Sequence, residues 1–158
     1  MTAMYAVRAL LAAIALSALP VHAQSFEFSD TGGKVQSLAA YRGKWVLLNM
    51  WASWCAPCII EMPVFEALSK ERADLVVLGL AADGETPAKI QKFAAALKVT
   101  YPIGCANAEL TRRLGVQGFP TTLLFNPKGE LVKTIQGAVT RPQLEALLPP
   151  RAAATNAH

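Results

Sequence analysis

The sequence predicts a single α/β domain in which helices layer a central β-sheet. Three observations predict it. Apolar runs that read as strands alternate with segments of helical periodicity from Trp45 onward. A pair of cysteines, Cys55 and Cys58, falls where the first of those runs passes into a helix. The chain then closes on a β-hairpin followed by a helix. At 158 residues one domain is the expectation, and no internal repeat or second-domain linker interrupts the pattern.

Taken in order, Phe26-Glu27-Phe28 alternates like the start of a strand, and Thr31-Gly32-Gly33-Lys34 is a turn into Val35, giving an N-terminal hairpin. A short helical piece from Leu38 to Tyr41 ends at Gly43. Trp45 to Met50 reads as a buried central strand. The next helix starts at Cys55 or Ala56 and runs to about Arg72, with a kink expected at Pro63. Asp74 to Ala81 is a second buried strand, and Asp83-Gly84-Glu85-Thr86-Pro87 is a loop and helix start. Ile90, Phe93, Ala94 and Leu97 recur at helical spacing, so Pro87 to Lys98 is an amphipathic helix. Tyr101 to Gly104 is a short strand, and Ala108 to Leu114 a short helix ended by Gly115. Strands Thr121 to Phe125 and Leu131 to Ile135 are joined by the turn Asn126-Pro127-Lys128-Gly129. Arg141-Pro142 opens a last helix ending near Leu148, where Pro149-Pro150 stops it.

Residues 1–23 read as a signal peptide outside the domain. Arg8 is a minimal basic region, Ala9 to Leu19 an apolar core, and Val21-His22-Ala23 an A-x-A-like cleavage site. The apolar stretch is shorter than the roughly 20 residues of a membrane span. A periplasmic protein is expected, with a membrane tether through an uncleaved leader as the alternative. Residues 24–150 form the domain, and the Ala-rich remainder, 151–158, is expected to be disordered.

The formal net charge of +4 includes no Lys/Arg cluster or aromatic-basic alternation, so nucleic-acid binding is not expected. His22 and His158 lie in the leader and at the last position. A histidine base, a Cys-His dyad and most zinc sites are thereby excluded.

The cysteine pair carries the chemistry. At a helix N-terminus, unpaired N–H groups and the positive end of the dipole favour a thiolate, which in water forms only around pH 8.5. Cys58 lies about one turn on, within reach for a disulfide, and Pro57 suits the first turn because its missing N–H needs no partner there. Glu61 follows three residues later on nearly the same helix face, placed to take a proton from Cys58; an ordinary solvated helix residue is the other reading. Phe119-Pro120 is the expected cis peptide, because X-Pro bonds tolerate that geometry. Trp54 is expected to shield the site, with Trp45 and Trp51 in the core or on its flank. Cys105 is either a small buried hydrophobe or a reactive thiol.

With Trp54-Cys55-Ala56-Pro57-Cys58, Glu61-Met62-Pro63 and Gly118-Phe119-Pro120-Thr121-Thr122 in place, the chain resembles the thioredoxin fold, and more closely the TlpA/ResA-like thiol-disulfide oxidoreductases. The resemblance covers about Phe26 to Leu148. It implies a central mixed sheet flanked by helices, an N-terminal hairpin extension, and a helix-strand insertion that Pro87 to Gly104 would supply. Cytoplasmic thioredoxins carry a buried aspartate at the position of Asn49; the TlpA/ResA-like proteins commonly carry asparagine there and a glutamate after the second cysteine.

The resemblance implies that Cys55 is the nucleophile, Cys58 the resolving thiol, and that the backbone of Phe119 pairs with the substrate chain beside Pro120. It implies no cofactor beyond the redox-active cysteine pair. Expected clients are disulfides in exported proteins, such as apocytochrome c or copper-site assembly proteins. Re-reduction is expected from a membrane thiol relay of the CcdA/DsbD type, with the protein acting as a monomer. A disulfide isomerase or oxidant, a Cu(I)-binding assembly factor using the same two sulfurs, and an inert binding domain are the competing readings.

Overall fold

The computed structural model describes residues 25–150, so the expected leader and tail lie outside the described residues. Its elements are β1 (Glu27–Ser29), β2 (Val35–Ser37), a 3-10 turn (Leu38–Tyr41), β3 (Trp45–Trp51), α1 (Ala56–Glu71), β4 (Leu75–Ala81), α2 (Pro87–Ala96), β5 (Ile103–Cys105), α3 (Ala108–Arg113), β6 (Thr121–Phe125), β7 (Leu131–Gln136) and α4 (Arg141–Leu147). Each element expected from the sequence is present, with ends shifted by a residue or two. Two ends move by two residues: β5 starts at Ile103, and α2 stops at Ala96 because Leu97 turns its N–H back to Phe93 and Ala94 and Lys98 enters the left-handed region at φ 58°. α1 continues through Pro63 to Glu71.

The main sheet has the order β5-β4-β3-β6-β7. β3, β4 and β5 run parallel, joined by the crossover helices α1 and α2, whereas β6 and β7 are antiparallel. Strand alternation divides β3 between two cores. Leu47 and Trp51 pack with Met62, Phe65 and Leu68 of α1, and with Ile90 and Leu144 from α2 and α4. Val46, Leu48 and Met50 point the other way, against Phe26, Phe28, Leu110 and Phe125. The sheet is therefore covered on both faces, as the near-continuous apolar strands require.

β1 and β2 form the N-terminal hairpin, whose turn is organised by Asp30. Its Oδ1 accepts from the N–H groups of Gly32 and Lys34 (2.9 Å each), and its Oδ2 from Gln36 Nε2 (2.7 Å). The hairpin docks on the outer edge of β5: Asp30 bridges to Gly104, and the Thr31 N–H donates to Ile103 O at 2.7 Å. Gly104 allows that approach, since a Cβ there would lie 2.7 Å from Phe28 Cε2 and 2.8 Å from Ser29 O. Gly79, in the middle of β4, plays the same part inside. A Cβ there would come within 3.1 to 3.3 Å of Ile103, Tyr101 and Trp51.

Candidate active site

β3 delivers the chain to the carboxyl edge of the parallel strands, where α1 begins. Cys55 is the N-cap of α1, with extended backbone (φ −90°, ψ 98°), and its Sγ accepts from the Cys58 N–H at 3.3 Å. Sulfur thus stands where a Ser or Asp side chain usually caps a helix. Pro57 occupies the first turn, as its lack of an N–H predicts. Cys55 and Cys58 are joined by a disulfide, S–S 2.07 Å and Cα–Cα 5.3 Å. Cys55 is 5% exposed and Cys58 0%, so the first sulfur is the more accessible, but only by an edge.

Glu61 is not a solvated helix residue. It is 3% exposed and belongs to the buried stripe of α1 with Cys58, Met62, Phe65 and Leu68. Asn49 Nδ2 donates to its Oε1 at 2.9 Å, and the Val139 N–H donates to its Oε2 at 3.0 Å. Burial raises its pKa to about 7; the hydrogen bonds from Val139 and Asn49 pull the other way without cancelling that effect. A carboxyl group that exchanges its proton near neutrality therefore lies one helical turn beyond Cys58.

The Phe119-Pro120 peptide is cis, as expected. Its loop is fastened by the Thr121 hydroxyl, 2.7 Å from Gly118 O, and by the Gly137 N–H, which donates to Pro120 O at 2.8 Å. Trp54, next to Cys55, lies at the surface. It is 71% exposed and makes an edge contact with Phe119, ring centroids 5.9 Å apart. Trp54 and Phe119 thus form one aromatic rim. Ala56, Pro57, Ile60 and Pro63 are also exposed and give the first turns of α1 an uncharged stretch of surface. Trp51 is buried and stacks on Phe93 at 5.7 Å, whereas Trp45 is half-buried.

Several contributors escaped sequence reasoning. Asp83, just past β4, accepts from the Ser53 N–H at 2.8 Å and so ties the turn before Trp54 to the next strand end. Burial pushes the Asp83 carboxyl up, but the hydrogen bonds from Ser53 and Glu85 outweigh it and hold the group below its usual range. Val139 and Thr122 reach the site from distant segments. Only the rule that sites gather at the carboxyl ends of parallel strands points toward Asp83 in advance. Cys105 is part-buried, and burial, with the Asp83 charge, pushes its thiol up, which disfavours a reactive thiolate. Among the described residues no group of three or more His, Cys, Asp or Glu side chains is placed to hold a metal ion.

A sulfur-sulfur bond closed across the first turn of a helix, beside a proton-exchanging carboxyl, is equipped for dithiol-disulfide exchange, and the chain is a thiol-disulfide oxidoreductase. It belongs to the Redoxin family, whose pattern matches residues 20–148. It is 33% identical over 128 residues to the thiol-disulfide oxidoreductase ResA of Geobacillus thermodenitrificans, covering 78% of this chain and 72% of that one. Among solved structures it resembles StoA from Bacillus subtilis (TM-score 0.66, 28% identity, 77% of this chain and 94% of that one). It also resembles the exposed lipoprotein thioredoxin Etrx1 of Streptococcus pneumoniae (TM-score 0.68, 29% identity, 78% and 96%). The central mixed sheet with flanking helices is the thioredoxin fold, and the site is of the ResA/StoA type.

Proposed function

We propose that the chain is an exported protein-disulfide reductase that works through Cys55 and Cys58. In the reduced protein, Cys55 is the thiolate, stabilised by the N-terminal amides of α1. It attacks a client disulfide, forms a mixed disulfide and releases one client thiolate. Cys58 then passes its proton to Glu61 and attacks the Cys55 sulfur. The bond to the client breaks, its electron pair leaves on the second client sulfur, and the protein holds the Cys55–Cys58 disulfide. Two electrons have moved to the client. The backbone of Phe119, next to Pro120, pairs with the client chain, and Trp54 supplies apolar contact.

The observation that carries this reading is the buried Glu61, with its pKa near 7, one turn from Cys58. A base matched to neutral pH suits proton removal from a buried thiol. Ala56 and Pro57 place no cation beside Cys55, so nothing in the motif over-stabilises the reduced form as a histidine would. Export is supported by the signal-like leader and by the pneumococcal relative, which is described as an exposed lipoprotein. Clients of the cytochrome c or copper-site assembly class, and a CcdA/DsbD-type membrane relay as electron source, complete the proposal. The protein is expected to act as a monomer.

The reduction potential is the test. A reductant is expected near the thioredoxin value, about −270 mV, whereas a value near the strongly oxidising limit, about −120 mV, overturns the assignment. In the same preparation a Cys58→Ala variant is expected to accumulate as mixed disulfides through Cys55, whose partners mass spectrometry identifies.

A further inference from the structure

Among the described residues, four buried side-chain atoms have no hydrogen-bond partner: Asn49 Oδ1, Thr122 Oγ1, Trp51 Nε1 and Tyr101 OH. The first two sit together. In the antiparallel pairing of β3 and β6, Asn49 is directly opposite Thr122. Their side chains therefore leave the sheet on the same face, with Cβ atoms about 5 Å apart. That face meets α1, because the Asn49 amide donates to Glu61. Both residues are 0% exposed and Glu61 is 3% exposed. An amide oxygen, a hydroxyl and a carboxylate with lone pairs to spare thus lie buried on the same face of the sheet, against α1. Folded proteins rarely leave such groups bare, and an internal water needs only two to four polar partners.

We propose that Asn49 Oδ1 and Thr122 Oγ1 hold an internal water beside Glu61, and that Thr122 positions this water to relay the proton Glu61 takes from Cys58. The proposal rests on Glu61 being the base for Cys58. The step balances with no reactant beyond solvent. The Cys58 proton goes to Glu61, the Cys58 sulfur bonds to Cys55, and the client sulfur departs with the electron pair. The client thiolate takes up a proton from solvent as it leaves, and Glu61 gives up the one it holds through this water. The titratable groups facing Glu61 are Cys58 on α1 and Tyr101 beside β5. Burial, then the charges of Glu66 and Glu61, keep the Tyr101 hydroxyl protonated, so it is no rival base. β3 and β6 bring no ionisable side chain, and Arg141, two residues past Val139, is paired with Glu71 and Glu145.

The test is single-turnover resolution of a mixed disulfide between Cys55 and a model peptide, followed from pH 5 to 9 in the full-length protein. Thr122→Val keeps the shape and removes the hydroxyl. It is expected to slow the Cys58-dependent step about tenfold and to move its pH midpoint, and Thr122→Ser is expected to restore both. Glu61→Gln is measured alongside. If Glu61→Gln loses rate and pH dependence while Thr122→Val keeps both, the water relay is overturned and the base assignment stands. If Glu61→Gln is itself unchanged, the base assignment falls and takes the relay with it. A high-resolution crystal structure of the unmutated protein gives a result that does not depend on any variant folding. Ordered water within hydrogen-bond distance of both Asn49 Oδ1 and Thr122 Oγ1 is expected, and its absence overturns the proposal.

Discussion

Glu61 is 3% exposed and receives only two hydrogen bonds, so burial governs its ionisation and lifts its pKa from 4.5 to about 7. Between those values the folded chain holds a proton that the unfolded chain has released. Glu61 therefore favours folding fully below pH 4.5, and that contribution disappears as the pH climbs through about 7. At one pKa unit per 1.36 kcal/mol, the contribution is at most about 3 kcal/mol. Asp30, Glu66 and Asp83 are held below their ordinary values, so their stabilisation is lost only as the pH falls through the acid range. The interval from pH 5 to 7.5 thus reports on Glu61. The oxidised protein is expected to resist urea better at pH 5 than at pH 7.5, and Glu61→Gln to flatten that difference. Equal pH dependence in the two proteins would show that the carboxyl is not the titrating group.

At the scale of elements, the hairpin and β5 depend on each other through one missing side chain. Gly104 faces Phe28 and the backbone of Ser29, and a methyl group there meets both well inside contact distance. Gly104→Ala is expected to cost about 1–3 kcal/mol by overpacking. Part of the clash is with the Phe28 ring and part with rigid backbone. Adding Phe28→Ala should therefore recover some of the loss, with a coupling energy of at least about 0.5 kcal/mol in a double-mutant cycle. Strict additivity in urea unfolding would mean that the two residues do not meet. The rest of this region was legible from the chain. Thr31-Gly32-Gly33-Lys34 announced the turn, and the Asp30 carboxylate organises it locally. The docking of the hairpin on β5 was not legible, because it joins residues some seventy positions apart through sheet register.

The same division holds for the whole molecule. The Cys55–Cys58 pair, the placement of Glu61 on the same helix stripe and the cis bond before Pro120 could be read from short motifs, because each follows from its position on a strand-helix junction or loop. The Val139 amide, Thr122 and Asp83 could not, since strand order brings them in from 78, 73 and 30 positions away from Glu61, Asn49 and Ser53. The ends of the fold are joined in the same non-local way. Arg72, 4% exposed, donates to Asp74 Oδ1 and Oδ2 (3.0 and 2.6 Å) and to Pro149 O (3.0 Å), holding the start of β4 against the chain beyond α4. The two borders of the main sheet differ. β7 is largely exposed along its length, Lys133 included, with a register shift at its pairing with Phe125, features that discourage a further strand. β5 is short and apolar, and among the described residues the hairpin's bridge and the Thr31 bond occupy its outer rim. The β1–β2 unit therefore acts as a guard against polymerisation: without it, bare amides along that rim would recruit strands from other copies. A chain lacking that unit is expected to self-associate, by light scattering, at concentrations where the complete chain stays dispersed.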